Sequence, residues 1–212
     1  MDLPKAYQKD IMQNYKIKEK ERRKNRVYKI ATKTLCQKGY NRTTIRDIAK
    51  ATEMTTAGLY YYFKSKEELL FQILNGHMDD MLTGIEKISQ TNNSPLELIK
   101  TYVHYQLGSY CNDKYRTKLT LTDDQCLNSK WYKQIYEKQK RYLSYWKRAL
   151  ERYCSQEGIP TDDVSIDVHC IIGMCSWIYR WYDPKGKIKP EDMALRFFEI
   201  FIFGLSNREK KI

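Results

Sequence analysis

Residues 43–66 read TTIRDIAKATEMTTAGLYYYFKSK, and their spacing decides the fold. A short helix is predicted to begin at Thr43 or Thr44, turning Ile45, Ile48 and Ala49 inward. A tight break follows at 52–55. A second short helix carries Thr55, Thr56, Gly58, Tyr60, Tyr61 and Tyr62, and the chain leaves it through Lys64 and Lys66. Two short helices about a tight turn make a helix-turn-helix. Hydroxyls, rings and a glycine on the second helix, with lysines beside them, suit a surface that meets bases and phosphates together.

The charge around this stretch points the same way. The 212 residues carry a formal net charge of +12, of which +9 falls in residues 1–70 and +3 in the rest. Residues 16–29 (KIKEKERRKNRVYK) alone contribute +6. A basic block just ahead of a helix-turn-helix is an electrostatic footprint for phosphates, although a solvated helix face can look alike. The six cysteines (Cys36, Cys111, Cys126, Cys154, Cys170, Cys175) form no CxxC pair, and the first residues hold no apolar signal core. Both features predict free thiols in a reducing cytoplasm. The most apolar run, 168–179, is shorter than the roughly 20 residues a bilayer span needs, so no membrane association is expected.

Working outward, residues 1–18 read as a flexible or helical extension. A long helix is predicted over 19–38, because Val27, Ile30, Ala31, Thr34 and Leu35 recur at spacings of three and four. Gly39 stands where a glycine would end that helix, and Tyr40 follows it toward the small core. Ser65 to Glu68 reads as a capping box, in which Ser65 takes a free amide and Glu68 reaches back. A helix over 66–89 follows, then turn chemistry at 91–95 with Pro95 opening the next helix. Further helices are expected at 95–112, 123–157, 163–182 and 190–207. No segment alternates as a strand would. The expected fold is all-α: a helix-turn-helix domain at 19–66 and a larger helical domain at 67–212.

Within the first part, Thr44 can cap its helix while its hydroxyl or amide meets a phosphate. Arg46 projects from the first turn toward a guanine edge or a phosphate. Gly58 would allow close backbone approach. Tyr60, Tyr61 and Tyr62 fan across roughly 200 degrees, so they cannot all be core. Leu59 and Phe63, four apart, are the better inward pair.

The run TTIRDIAKATEMTTAGLYYYFKSKEELL resembles the amino-terminal signature of the tetracycline-repressor (TetR) family of transcriptional regulators. The likeness covers residues 24–75 and rests on Gly39-Tyr40, TTIRDIA, LYYYF and KSKEELL in order. It implies a three-helix DNA-binding domain, a helical ligand-binding and dimerisation domain, and a homodimer on a palindromic double-stranded operator. By position it implies base or phosphate contacts from Thr44, Arg46, Thr56, Tyr60, Tyr61 and Lys64 or Lys66. Thr43, Thr55 and Gly58 complete the expected interface. Thr55-Thr56-Ala57-Gly58 departs from the serine, basic residue, glycine and threonine of many members, removing a positive charge near position 56.

In the second part, 177–184 (WIYRWYDP), a Lys/Gly stretch and Pro190-Glu191-Asp192 are similar to TetR-type regulators of fatty-acid and sterol catabolism, which respond to acyl-coenzyme A thioesters. Tyr142, Trp146, Arg148, Trp177, Arg180 and Trp181 are the expected ligand-binding residues. Arg180 inside an aromatic cluster would need a partner if buried. The basic aromatic stretch 130–152, with Lys140, Arg141, Lys147 and Arg148, could surround an amphiphile bearing phosphates, though it also reads as a solvated helix face. The apolar helices at 168–182 and 193–205 are expected to pair with their symmetry mates. His77, His104 and His169 are isolated and lack partners at metal spacing, and no nucleophile or phosphate-loop motif occurs. Neither an enzyme nor a cofactor is therefore expected. The other class considered, an architectural DNA binder without an effector, does not need so large an apolar second domain.

Overall fold

Helix α1 (Lys5–Lys38) stops where Gly39 adopts φ +86°, a left-handed conformation that costs glycine little and a side chain more. The computed structural model describes residues 5–91 and 93–207, with side chains from Met12 onward. Residues 1–4 of the expected extension lie outside the described residues. From Lys5 the extension is helical and continuous with the helix predicted at 19–38. Every regular element among the described residues is a helix. The chain divides after Ile73 into two compact units.

The first unit contains α1, α2 (Ile45–Thr52), α3 (Thr56–Tyr60) and the start of α4 (Lys66–Ser89). Its core is Val27, Ala31 and Leu35 of α1, Ile48 and Ala49 of α2, and Leu59, Phe63, Leu69, Leu70 and Ile73. Leu59 and Phe63 are the inward pair that their spacing predicts, and Tyr28 meets Phe63 edge-on at 6.5 Å between centroids. Ile45 is only half-buried. The expected turn is sharp: Glu53 takes φ 57° and its amide returns to α2. The capping box at the start of α4 is shifted. Glu68 N donates to Ser65 Oγ (3.0 Å), but the Glu68 carboxylate accepts from the Lys64 amide at 2.6 Å.

The second unit contains the rest of α4, α5 (Pro95–Asn112), α6 (Lys114–Thr122), a 3-10 turn (Asp124–Cys126), α7 (Ser129–Glu157), α8 (Val164–Ser176), α9 (Ile178–Trp181) and α10 (Pro190–Ser206). Helix α5 is the hub, packing against α6, α7, α8, α9 and α10. Ile99, Tyr102, Val103 and Leu107 on α5 are buried beside Trp146 and Leu150 on α7. Two predicted helices are broken differently from expectation. The helix expected at 123–157 begins only at Ser129, where the Asn128 side chain accepts the Trp131 amide (3.0 Å). Helix α6 fills the stretch before it, with Asp113 capping through the Arg116 amide at 3.1 Å. The helix expected at 163–182 is interrupted between Ser176 and Ile178.

Candidate nucleic-acid interface and effector cavity

The helix-turn-helix is held from within by groups that the sequence reading had assigned to DNA. Thr43 is 1% exposed, and its hydroxyl donates to the Gly39 carbonyl at 2.7 Å. It is a core hydroxyl, because the chain must turn back on α1 there. Lys66 is likewise a brace. Its ammonium donates to the Tyr40 and Thr43 carbonyls, each at 2.9 Å, and lies 4.2 Å from the centre of the Tyr40 ring. An ammonium has three donors, and two of them are spent on the turn. Thr44 caps α2 in a reciprocal box: Asp47 N donates to Thr44 Oγ1, and Thr44 N and Oγ1 both donate to the Asp47 carboxylate at 2.7 Å. The Lys38 ammonium, 2.7 Å from that carboxylate, and the Thr44 donors hold Asp47 well below the usual carboxylate range. The amide and hydroxyl of Thr44 expected at a phosphate are thus already engaged.

Other predicted contacts face outward. Arg46, Thr55, Thr56, Tyr60, Tyr61 and Lys64 are all exposed, with Tyr61 at 66%. Thr55 caps α3 by accepting the Gly58 amide at 3.0 Å. Gly58 is half-buried, and a Cβ there would press on Met54 Cε and Thr55 Oγ1, both at 3.3 Å. Its close approach is therefore to its own turn. Helix α3 has five residues, fewer than the sequence suggested. Tyr60 and Tyr61 close it as solvent-facing rings, and Tyr62 tucks edge-on against Tyr61 at 5.3 Å.

In the second unit, α4, α5, α6, α7 and α8 line a partly open cavity of about 200 Å³. His77, Met78 and Met81 come from α4, Gln106 and Tyr110 from α5, and Thr117, Thr120 and Leu121 from α6. Gln139, Tyr142 and Leu143 of α7 and Ile172 of α8 complete it. Burial, reinforced by the Arg116 charge, pushes His77 down to about 4, so its ring is neutral at physiological pH. Burial pushes the Tyr110 and Tyr142 hydroxyls up, so both keep their protons. Tyr142 donates to Gln106 Oε1. Thr117 Oγ1 and Thr120 Oγ1 are buried and have no hydrogen-bond partner. A buried orphan hydroxyl costs about 1–3 kcal/mol, and with no accessible surface these two oxygens sit within the cavity wall rather than on its face.

Of the six expected ligand-binding residues, the structure brings only Tyr142 to this cavity. Trp146, one turn further along α7, is fully buried with its ring 5.3 Å from Tyr102, a core position. Arg148 is exposed, its guanidinium 4.5 Å from the Tyr145 ring. Trp177, Arg180 and Trp181 lie on the exposed side of α9, with Arg180 stacked 5.4 Å over Trp177. Arg180 is not a buried charge, so its need for an interior partner disappears. The α7 cations form an outer face instead. Lys140 pairs with Glu137 (2.9 Å), Arg141 with Glu86 (2.5 Å) and Lys147 with Glu151 (3.8 Å). His77, dismissed as an isolated histidine, is the cavity residue that the sequence reading missed. Thr117 and Thr120 were missed with it, because α6 was not recognised. Threonines three apart beside Leu119 and Leu121 were the available signal. Among the described residues no cluster could hold a metal ion, and no helix is long and apolar enough to cross a membrane.

Comparison with known proteins agrees with this arrangement. Residues 28–73 match the family profile of bacterial regulatory proteins, tetR family, and residues 92–205 match the tetracyclin repressor-like C-terminal domain. The chain belongs to the TetR family of bacterial transcriptional regulators. It is similar to the HTH-type transcriptional repressor KstR2 of Mycobacterium tuberculosis, 22% identical over 189 residues that cover 87% of this chain and 93% of the repressor. A TetR-family regulator from Bordetella parapertussis 12822 shares the fold at TM-score 0.80 and 27% identity, covering 84% of this chain and 93% of its own. AibR, solved in complex with isovaleryl coenzyme A and operator DNA, matches at TM-score 0.75 and 26% identity, over 84% and 97% of the two chains.

Proposed function

We propose that the protein is a homodimeric repressor that binds a palindromic operator and releases it when a small effector enters the second unit. The reading head is the outward face of Thr55, Thr56, Tyr60 and Tyr61, with Arg46 and Lys64 at its margins. The effector site is the cavity beside His77. The observation that carries this reading is the cavity that α4 helps to line, with the neutral His77 and the Tyr142–Gln106 pair among its polar groups. Helix α4 contributes residues to both units, which makes it the proposed carrier of the effector's signal. Such coupling needs differential effector affinity of about 1–3 kcal/mol. Dimerisation is supported by the apolar outer faces of α8 and α10, where Ile166, Ile200 and Phe203 are exposed, Phe203 at 74%.

The effector proposed is an acyl-coenzyme A thioester with a short acyl chain. A cavity of about 200 Å³ is on the scale of those that hold six to ten non-hydrogen atoms, roughly a benzene-sized ligand or slightly more. KstR2 is a ketosteroid regulator, and a fused ring system would extend beyond this partly open space. AibR carries isovaleryl coenzyme A, whose acyl group is of fitting size. Among the described residues no lysine or arginine lines the cavity, so the phosphates of such an effector would lie outside it. The test uses the strongest duplex recovered by in vitro selection from random sequence, labelled for fluorescence anisotropy. Isovaleryl coenzyme A should release it at micromolar concentration, while free coenzyme A and a sterol-derived thioester should not. Release by the sterol thioester alone would overturn the size argument.

A further inference from the structure

Helix α1 continues far beyond the core it serves. Among its described side chains Val27 is the first that is buried, and none of residues 12–26 is. A helical stretch with no buried side chain is marginal in water unless pairs or a partner sustain it. Glu19 pairs internally with Arg23 (3.2 Å) and Arg22 (3.9 Å), which accounts for part of that support. The remaining charge is strongly positive, with Lys16, Lys18, Lys20, Arg22, Arg23, Lys24 and Arg26 against Glu19 and Glu21.

The decisive feature is the direction of one row. Lys16, Lys20 and Lys24 are four apart and share a face of the helix. Lys24 Nζ lies 5.5 Å from the Tyr28 ring, and Lys20 Nζ lies 5.3 Å from the Tyr61 ring. The row therefore runs outward from the core, passes the exposed ring of the reading head, and continues to Lys16 beyond it. It spans about 12 Å, or roughly three to four base-pair steps of a duplex.

We propose that this row is a second DNA contact, a rail that holds the phosphate backbone beside the base pairs read by α3. The proposal rests on the DNA-binding reading of the helix-turn-helix. A lipid surface fits less well. Met12 and Tyr15 project from one side and Ile17 from another, so the exposed apolar residues do not gather into the single face that an interfacial helix needs. Charge complementarity and the contact with Tyr61 select duplex DNA.

The experiment compares two triple variants on the selected duplex: Lys16→Gln/Lys20→Gln/Lys24→Gln, and Lys18→Gln/Lys29→Gln/Lys33→Gln, which removes equal charge from the opposite side of α1. Affinity is measured across salt concentrations, with circular dichroism checking helicity. The row variant should flatten the salt slope by about 0.9 for each phosphate lost, and weaken binding roughly tenfold to a hundredfold at moderate salt. The control should change the slope by less than half as much. Adding six base pairs to each end of a minimal duplex should strengthen the wild type and the control but not the row variant. Equal effects of the two variants would overturn the rail. So would an unchanged slope in a row variant that still depends on Tyr61 for binding. Loss of binding to phosphatidylserine vesicles, with DNA binding intact, would reassign the row to a membrane. Absence of any saturable duplex binding by the wild type would overturn the helix-turn-helix reading along with the rail.

Discussion

In the first unit, Thr56, Tyr60 and Tyr61 point their polar groups into solvent, above a turn whose inner carbonyls are satisfied by Thr43 and Lys66. In the second unit, Thr117 and Thr120 keep theirs inside, within the wall of a cavity whose own acids and bases are uncharged at neutral pH. Outward groups cost the folded protein nothing while they wait for a partner, because water satisfies them. Inward groups cost stability where they stay unpaired, and those that line the cavity, such as His77 and the Tyr142–Gln106 pair, select a ligand by size and hydrogen bonding. A polyanion that must be gripped and released suits the first arrangement. A small neutral group that must be told from its analogues suits the second.

Acid separates the two regions most strongly. His77 is pushed down to about 4 from an ordinary value of 6.5, so the unfolded chain takes a proton in that window and the folded one does not. Stability is fully present above about pH 6.5 and falls as pH drops toward 4, by roughly 3 kcal/mol in total. Asp47, at the surface of the first unit, behaves differently. Its pKa is lowered from 3.8, so its contribution persists until pH falls through 3.8 and below. The tryptophans at 131, 146, 177 and 181 all belong to the second unit, so their fluorescence follows it alone. Urea unfolding between pH 4 and 7 should show that signal weakening, and His77→Leu should remove most of the slope. A slope unchanged in the variant would place the proton elsewhere.

Lys66→Ala should lower stability by about 2 kcal/mol or more, since two turn carbonyls lose their donor. DNA affinity should fall with it. A variant of normal stability and poor affinity would make Lys66 a phosphate ligand and blur the distinction between brace and reading head. Tyr61→Ala should do the reverse, weakening operator binding about tenfold while stability stays within about 0.5 kcal/mol. The smallest effect belongs to the cavity. Thr117→Val keeps the shape and deletes an orphan hydroxyl, so the effector-free protein should gain about 1 kcal/mol, or 2–4 °C in Tm. If it is destabilised instead, the hydroxyl has a partner.

The first unit was legible because its signals are local. Gly39, the Thr44 cap, the break at Glu53 and the Leu59–Phe63 pair each depend on residues within a few positions of one another. What misled the reading there was accessibility. Thr43 and Lys66 are polar residues beside a DNA-binding turn, and nothing in the pattern says that their donors are used internally. The second unit was legible as helices but not as a site. Its cavity joins His77 to Ile172 through five helices, and no spacing rule spans that distance. The cations of α7 and the aromatic run at 177–181 drew attention because they are conspicuous, and they are conspicuous because they lie on the surface.

Hydrogen exchange of the protein alone, with the selected duplex, and with isovaleryl coenzyme A, tests the division of labour most directly. The duplex should slow exchange at amides 55–64, and the effector should slow it at 110–121 and 139–143 while reversing the first protection. Protection by DNA along the basic face of α7, with 55–64 unchanged, would contradict the account.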